Sequence, residues 1–267
     1  LPLDGESHKV ALALRWTGNE PSQLTRSVLR LNAAGNWTEF TEALRDFDCP
    51  PQNFVYADRG GNIGLYVPGR MPIRQNGLGL VPAPGWDGEH EWKGWIPHEE
   101  LPHAFNPAQG YLVTANNKVA GIEYPHHYSC DQYDGQRARR ITDLLLAQDK
   151  ASMDDFARIQ MDVHTLSGAE FADLLLSSRS SLVNHPALRD HRAQAARMLS
   201  LLETWDRRLS VDSPAATVYE LTEHFAAPRG FHPWLGDISD RYLGLNLGPL
   251  FHYSSHQANN SRSVLRR

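Results

Sequence analysis

The sequence predicts an α+β fold with a sheet-rich first half and a helical second half. Two observations support this prediction. Up to about residue 130, short runs of β-forming residues alternate with loops rich in Gly and Pro, whereas beyond it apolar residues recur at intervals of three and four. We therefore expect one compact unit over 1–267, with sheet in 1–130, helices in 131–250 and an irregular polar tail in 251–267.

The first half contains one hairpin that can be placed residue by residue. Strands over 54–58 and 63–67 flank the loop 59–62, RGGN, in which glycine can adopt the positive φ of a tight turn. A further strand is predicted over 111–115, YLVTA, and it runs directly into a pair of asparagines. The hairpin and this strand are the sheet elements on which the prediction depends.

The second half contains amphipathic helices, the first of them predicted over 136–147. The positions that share a face are Ile141, Leu144 and Leu145 on the first helix, Phe156, Ile159 and Val163 on the second, and Ala195, Leu199, Leu202 and Trp205 on the third. Ser152 with Asp155 has the spacing of a capping box, and Ser213 followed by Pro214 is typical of a helix start. Local signals and periodicity therefore agree.

Composition and charge argue against several classes of protein. The chain has 26 basic and 31 acidic side chains, a formal net charge of −5, so an extended surface for nucleic acid is not expected. No stretch approaches the roughly 18 uninterrupted apolar residues of a membrane span. The N-terminus also lacks the basic and apolar segments of a signal peptide. We predict no nucleic-acid partner and no membrane-spanning helix.

Cysteines and histidines give no strong metal signature. Cys49 and Cys130 do not form a CxxC pair and could be either bridged or reduced. His126 and His127 lie shortly before Cys130, but the second ligand pair of a structural zinc site is missing. The pattern favours a polar loop over a transition-metal centre.

Generic catalytic motifs are missing from the sequence: it has no GxSxG, no HExxH, no P-loop and no GxGxxG after a strand. What remains is a strand end carrying Asn116 and Asn117, followed by a helix start rich in arginine at Arg137, Arg139 and Arg140. A carboxamide NH₂ can donate to a developing oxyanion without changing its protonation, and such a donor is worth about 3 to 4 kcal/mol in the barrier. The pattern is compatible with an oxyanion-stabilising site.

Each of these residues also has a structural interpretation. Paired asparagines after a strand commonly form a turn. Arg137 could form a surface ion pair with Asp134 or Asp143 instead of supporting a site. For the other two arginines the structural interpretation is favoured. Asn117 competes with Asn116 as the oxyanion donor, because a slip of one residue on a strand turns the side chain to the opposite face.

Several ordered segments carry a resemblance to a known family. In chain order they read NFVYADRGGNIG at 53–64, GWDG at 85–88, WKGWIP at 92–97, GYLVTANN at 110–117, RARRITDLLL at 137–146, QMD at 160–162 and LETWD at 202–206. Their order and spacing resemble the penicillin acylase (penicillin amidase) family of N-terminal nucleophile (Ntn) hydrolases. The resemblance extends over most of the chain.

The resemblance implies a fold, a reaction and two site residues. Members have the αββα sandwich of Ntn hydrolases and are made as precursors that cut themselves into two chains, so the implied partner is an α chain from the same precursor. The new N-terminal Ser of the larger chain attacks the amide carbonyl of a small acyl amide, with its own α-amino group as base, and forms an acyl-enzyme. The side-chain oxyanion donor falls on Asn116 and the supporting arginine on Arg137. No catalytic cofactor is implied.

The chain departs from the family pattern at its first residue. Leu1 is not Ser, Thr or Cys, so we expect these 267 residues to be part of a catalytic β chain whose nucleophile lies upstream. Alone, they are expected to be inactive. A structural calcium is possible in the full-length protein, but no ligand for it can be assigned. A periplasmic or secreted location is implied only by the resemblance.

Two alternatives to a penicillin acylase remain open. An acyl-homoserine-lactone acylase shares the architecture, because the acyl pocket and not the fold sets the substrate. A non-catalytic module would instead use the hairpin, the tryptophan-rich loop and the asparagine strand to bind a ligand. In either case Trp86, Trp92 and Trp95 could line a pocket or pin their loop to the core.

Overall fold

The computed structural model describes residues 11–129, 132 and 134–236. Both helices and strands are present, and the chain is α+β as predicted. The predicted tail at 251–267 lies outside the described residues. No helix among those described has both the length and the apolar character that crossing a bilayer requires.

The contacts within the chain group into two compact units. Of the described residues, the first unit contains those up to 114 together with 119–129, and the second contains 115–118 and those from 132 onward. That the chain forms one domain stays a prediction, and each unit is described by itself.

Among its described residues, the first unit has two α-helices and five short strands. They are α1 (Leu24–Ala33), α2 (Trp37–Ala43), β1 (Phe54–Ala57), β2 (Ile63–Tyr66), β3 (Pro72–Arg74), β4 (Trp92–Trp95) and β5 (His103–Phe105). The strands form an antiparallel sheet in the order β1-β2-β5 and a separate β3-β4 pair. The core consists of Leu44, Phe47, Tyr66, Val67, Met71, Ile96 and Leu101.

The predicted hairpin is confirmed, with each strand one residue shorter than expected. Phe54 pairs with Tyr66 and Ala57 with Ile63, and the turn contains Gly61 at a φ of 83°. Asp58 closes the turn. Its carboxylate accepts hydrogen bonds from the Asn62 side chain at 2.8 Å, the Asn62 backbone N–H at 3.0 Å and the Tyr56 hydroxyl at 2.8 Å.

The turn predicts an acid-sensitive contribution to stability. The hydrogen bonds from Asn62, followed by the one from Tyr56, lower the pKa of Asp58 to about 2. Because the folded pKa lies below the ordinary value, the contribution is complete above that value and is lost as the pH falls towards 2. The Tm of Asp58→Asn should therefore lie below that of wild type at pH 5, and the difference should shrink by pH 2. A pH-independent difference would contradict this.

The strands β1 to β5 all lie in the first half, as its sheet-rich prediction requires, but α1 and α2 precede the hairpin and were not predicted. The prediction of a strand over 111–115 was wrong, since none is found there. A β-forming sequence makes a strand only where a second backbone pairs with it, and no pairing is present for this segment among the described residues. Its contact with the hairpin is a side-chain hydrogen bond from Asn53 Nδ2 to Thr114 Oγ1 at 2.5 Å.

The second unit is helical, as predicted. Its helices are α3 (Gln136–Leu146), α4 (Met153–Gln160), α5 (Leu166–Ser177), α6 (Arg179–Asn184), α7 (Arg192–Glu203) and α8 (Pro214–Leu235). The capping box of Ser152 with Asp155 is present, and Ser213 caps α8, whose first residue is Pro214. The core consists of Phe171, Ala172, Leu202, Trp205, Ala215, Ala216 and Tyr219.

Candidate oxyanion site

Asn116 lies in the second unit, in a turn that follows segment 111–114. Its backbone is left-handed, with a φ of 62°, a conformation that asparagine tolerates better than most side chains. The preceding residue, Ala115, is 9% exposed, whereas Asn116 itself is exposed. The turn therefore anchors the backbone at Ala115 and presents the next side chain outward.

Arg137, in the first turn of α3, contacts this asparagine directly. Its Nη2 donates to Asn116 Oδ1 at 2.8 Å and to the Ala115 carbonyl oxygen at 2.7 Å. One guanidinium nitrogen thus holds both the backbone and the side chain of the turn. The two predicted site residues, 21 positions apart in sequence, are neighbours in the structure.

Asn117 has a different environment. Its Oδ1 accepts from the backbone N–H of Ala115 at 2.9 Å, and its Nδ2 donates to the Lys118 carbonyl oxygen at 3.1 Å. Both ends of this carboxamide are bonded to the backbone of neighbouring residues, so the side chain supports the local backbone. Of the two candidates, Asn116 is the one whose side chain is held by Arg137.

A second arginine of α3 makes an ion pair that the sequence did not indicate. Arg140 donates from Nε to Asp162 Oδ2 at 2.6 Å and from Nη2 to Asp162 Oδ1 at 3.3 Å. Arg208 Nη1 lies 3.4 Å from the same Oδ1. The hydrogen bond from Arg140 lowers the pKa of Asp162, although burial of the carboxylate opposes the shift.

The tryptophans near residue 90 neither share one environment nor form one pocket. Trp86 is 86% exposed, so it does not pin its loop to a core. Trp92 and Trp95 pack edge to face at 5.4 Å, and the Arg15 guanidinium lies 4.5 Å from the Trp92 ring. This part of the first unit gives no evidence for an acyl pocket.

The described residues do not fit a metal centre. They contain no cluster of three or more His, Cys, Asp or Glu side chains placed to hold an ion. His126 Nε2 lies 2.6 Å from Glu100 Oε2. Cys130 lies outside the described residues, and so does any disulfide between Cys130 and Cys49. We therefore assign calcium no ligand in the described part of the chain and derive no step through it.

Comparison with known proteins identifies the family. The model of the penicillin amidase family matches residues 3–266, almost the entire chain. The chain belongs to the penicillin amidase family. The resemblance seen in the ordered segments of the sequence is thereby confirmed.

Two curated relatives have different names. The chain is 35% identical over 219 residues to penicillin acylase 2 proenzyme of Pseudomonas sp. strain SE83, covering 82% of this chain and 27% of that protein. It is 32% identical over 234 residues to acyl-homoserine lactone acylase QuiP of Pseudomonas fluorescens, covering 85% of this chain and 28% of the relative. The chain thus spans little more than a quarter of these penicillin amidase relatives.

A solved structure has a similar fold. The thermostable penicillin G acylase from Alcaligenes faecalis, in its orthorhombic form, matches with a TM-score of 0.56. The match covers 91% of this chain and 50% of that chain, at 21% sequence identity. At this identity the likeness concerns the fold alone.

Proposed function

We propose that this chain is part of an amide hydrolase that cleaves linear acyl amides through an acyl-enzyme. Asn116 would donate a hydrogen bond to the oxyanion, and Arg137 would hold Asn116 in place. The nucleophile would be the N-terminal Ser, Thr or Cys of the catalytic chain, outside these 267 residues, with its α-amino group as base. The contact between Arg137 and Asn116 is the observation that carries the proposal.

That contact sets the orientation of the carboxamide. A guanidinium has only donors, so the atom of Asn116 that meets it must be the oxygen. The NH₂ group then points away from Arg137, so it can donate to a substrate oxygen on that side. Because the donor is held before the charge develops, little reorganisation is needed in the transition state.

The guanidinium should also strengthen the donor. A charge-assisted hydrogen bond to Oδ1 draws electron density from the amide and makes its N–H groups better donors. The exposed carboxamide of Asn116 is accessible to a substrate, whereas that of Asn117 is bonded to its own turn. These differences support Asn116 as the donor.

For the substrate, we propose an acyl amide of the penicillin acylase type, and an acyl-homoserine lactone as the alternative. The relatives carry both names at similar identity, 35% and 32%, so identity does not discriminate between them. Both substrate types contain a linear amide whose carbonyl becomes an oxyanion on attack. The same Asn116 donor would serve either one.

Further properties of the whole protein are proposed from the family. It would be made as a precursor that cuts itself, and the chain studied would associate with the α chain from that precursor. We also propose a periplasmic or secreted location. A structural calcium is also proposed for the whole protein, although the described residues contain no group of three or more His, Cys, Asp or Glu side chains that could hold it alone.

The experiment that tests the proposal uses the full-length protein and two substrates. A phenylacetyl anilide and dodecanoyl-homoserine lactone should distinguish the two substrate classes, with release of the free acid as the readout. Intact mass spectrometry during turnover should detect an acyl group on the catalytic chain. Correctly processed full-length protein that binds either compound but hydrolyses neither would favour the non-catalytic module.

The isolated 267-residue chain provides the matched control. It should release no acid from either substrate, because the nucleophile is supplied by another part of the protein. Amidase activity from this chain alone, purified away from the full-length protein, would contradict the proposed placement of the nucleophile.

A further inference from the structure

We infer that Asp162 is a positioning residue for the oxyanion site, acting through Arg140 and α3 on Arg137. The inference rests on the proposed function of Asn116 and Arg137. It assigns a role to an ion pair that contacts neither the asparagine nor its guanidinium partner.

Within the described part of this chain, α3 has little buried apolar packing. None of its residues, all of them described, is fully buried, and its apolar face is only partly covered. A helix without a buried anchor can rotate about its axis at small cost, because few close contacts would be lost. A directional contact is therefore needed if the side chains of α3 are to be placed accurately.

The ion pair of Arg140 with Asp162 supplies that contact. It has two hydrogen bonds, at 2.6 and 3.3 Å, so it restrains both the position and the orientation of the guanidinium. Asp162 is only 11% exposed and Arg140 only 28%, so solvent screens the pair less than an ordinary surface pair. Arg137 lies three residues before Arg140, nearly one turn away, so both side chains project from neighbouring positions.

Asp162 is itself anchored to the core. The segment after it pairs with a second segment through Leu209 N–H to Val163 O and Thr165 N–H to Arg207 O, both at 2.9 Å. Trp205, which is 7% exposed, donates from its indole N–H to Arg208 O at 2.9 Å. The carboxylate of Asp162 is therefore a fixed point against which α3 is aligned.

Arg208 is a second arginine at this carboxylate. Its Nη1 lies 3.4 Å from Asp162 Oδ1, the oxygen that Arg140 Nη2 also contacts, and its side chain is 43% exposed. With two guanidinium groups around it, Asp162 stays ionised and keeps its lone pairs directed at Arg140. A change of Asp162 that keeps its shape but removes its charge should loosen α3 without deleting any site residue.

The test compares two variants in the full-length protein. Asp162→Asn should lower kcat on the order of tenfold, with KM nearly unchanged, because a misplaced oxyanion donor acts mainly on the transition state. Asp46→Asn is the matched control. The side chain of Asp46 is 14% exposed and is likewise paired with two arginines, Arg26 and Arg30, but it belongs to the first unit. It should lower Tm while leaving kcat unchanged.

Rates are expressed per active site, titrated with phenylmethylsulfonyl fluoride, so that loss of folded protein is not counted as loss of kcat.

In an Arg137→Met background, Asp162→Asn should cause no further loss of kcat, because the residue through which Asp162 acts is already gone. Wild-type kcat in Asp162→Asn, or losses that multiply in the double variant, would overturn the inference. If Asp162→Asn fails to fold, Arg140→Lys replaces it as the test variant. Arg140→Lys should lower kcat by a smaller factor than expected for Asp162→Asn, and this loss should vanish in the Arg137→Met background. Wild-type kcat in Arg140→Lys would overturn the inference.

Failure of the positioning role of Asp162 is distinguishable from failure of the proposed function. If Asn116→Ala retains wild-type kcat, then the oxyanion assignment is wrong and Asp162 has no site to position. If Asn116→Ala and Arg137→Met both lose activity while Asp162→Asn does not, the site is correct and only the positioning role is wrong.

Discussion

Asn116→Ala should lower kcat of the full-length enzyme by about 10²- to 10³-fold, the cost typical of removing one oxyanion donor. KM should change far less, because the donor acts on charge that develops only in the transition state. The side chain is exposed, so its loss removes little packing. Steady-state kinetics with active-site titration measures both constants.

The left-handed backbone requires a second variant at this position. With a φ of 62°, alanine at 116 would carry a strain of about 1 to 2 kcal/mol that could disturb the turn. Asn116→Gly removes the carboxamide without that strain, since glycine adopts positive φ readily. Both variants should lose the same factor in kcat. If the glycine variant kept wild-type activity while the alanine variant lost it, backbone strain and not the donor would be responsible.

Asn117→Ala separates the two asparagines. It removes the hydrogen bonds to Ala115 and Lys118 that close the turn, so a lower Tm and a smaller loss of kcat are expected. If Asn117→Ala abolished turnover while Asn116→Ala retained it, the donor would be displaced by one residue. Full activity in both variants would reject a carboxamide donor at this turn.

Features with a local cause were predicted well from the sequence. The hairpin is indicated by two glycines between two runs of β-forming residues. The capping box is indicated by Ser152 and Asp155, which lie three residues apart. The start of α2 has a comparable signal that the sequence analysis missed. Asn36 accepts from the Glu39 backbone N–H at 2.9 Å, and the Glu39 carboxylate accepts from Gly35 N–H at 2.7 Å. An Asn followed by Glu at this spacing could have predicted that helix.

Features that depend on distant residues were not accessible from the sequence. The segment 111–115 has strand-forming side chains, but strand formation needs a partner backbone that no local pattern reveals. Asp162 and Arg140 are 22 positions apart, and neither residue type nor spacing indicates their pairing. The sequence pattern indicated two asparagines and three arginines, and the family resemblance singled out Asn116 and Arg137 among them. Their physical contact is information that the structure adds.

Arg137→Met should lower kcat by about 10- to 100-fold and leave KM nearly unchanged. The variant loses the hydrogen bonds from Nη2 to Asn116 Oδ1 and to the Ala115 carbonyl. Each charge-assisted bond is worth about 1.5 to 3 kcal/mol, so the turn loses its restraint and the carboxamide can rotate away from the oxyanion. The donor survives in this variant, and the expected loss is therefore smaller than for Asn116→Ala.

The double variant decides how Arg137 acts. If its role is to hold Asn116, then Arg137→Met combined with Asn116→Ala should lose no more kcat than Asn116→Ala alone, because the group it positions has been removed. If its positive charge instead stabilises the oxyanion directly, the two losses should multiply, and Arg137→Lys should recover most of the activity of the single variant. Under the positioning role lysine recovers little, since one ammonium does not reproduce the geometry with which the guanidinium nitrogen bonds both acceptors. Wild-type kcat in Arg137→Met would exclude both roles and leave the contact as a structural support of the turn.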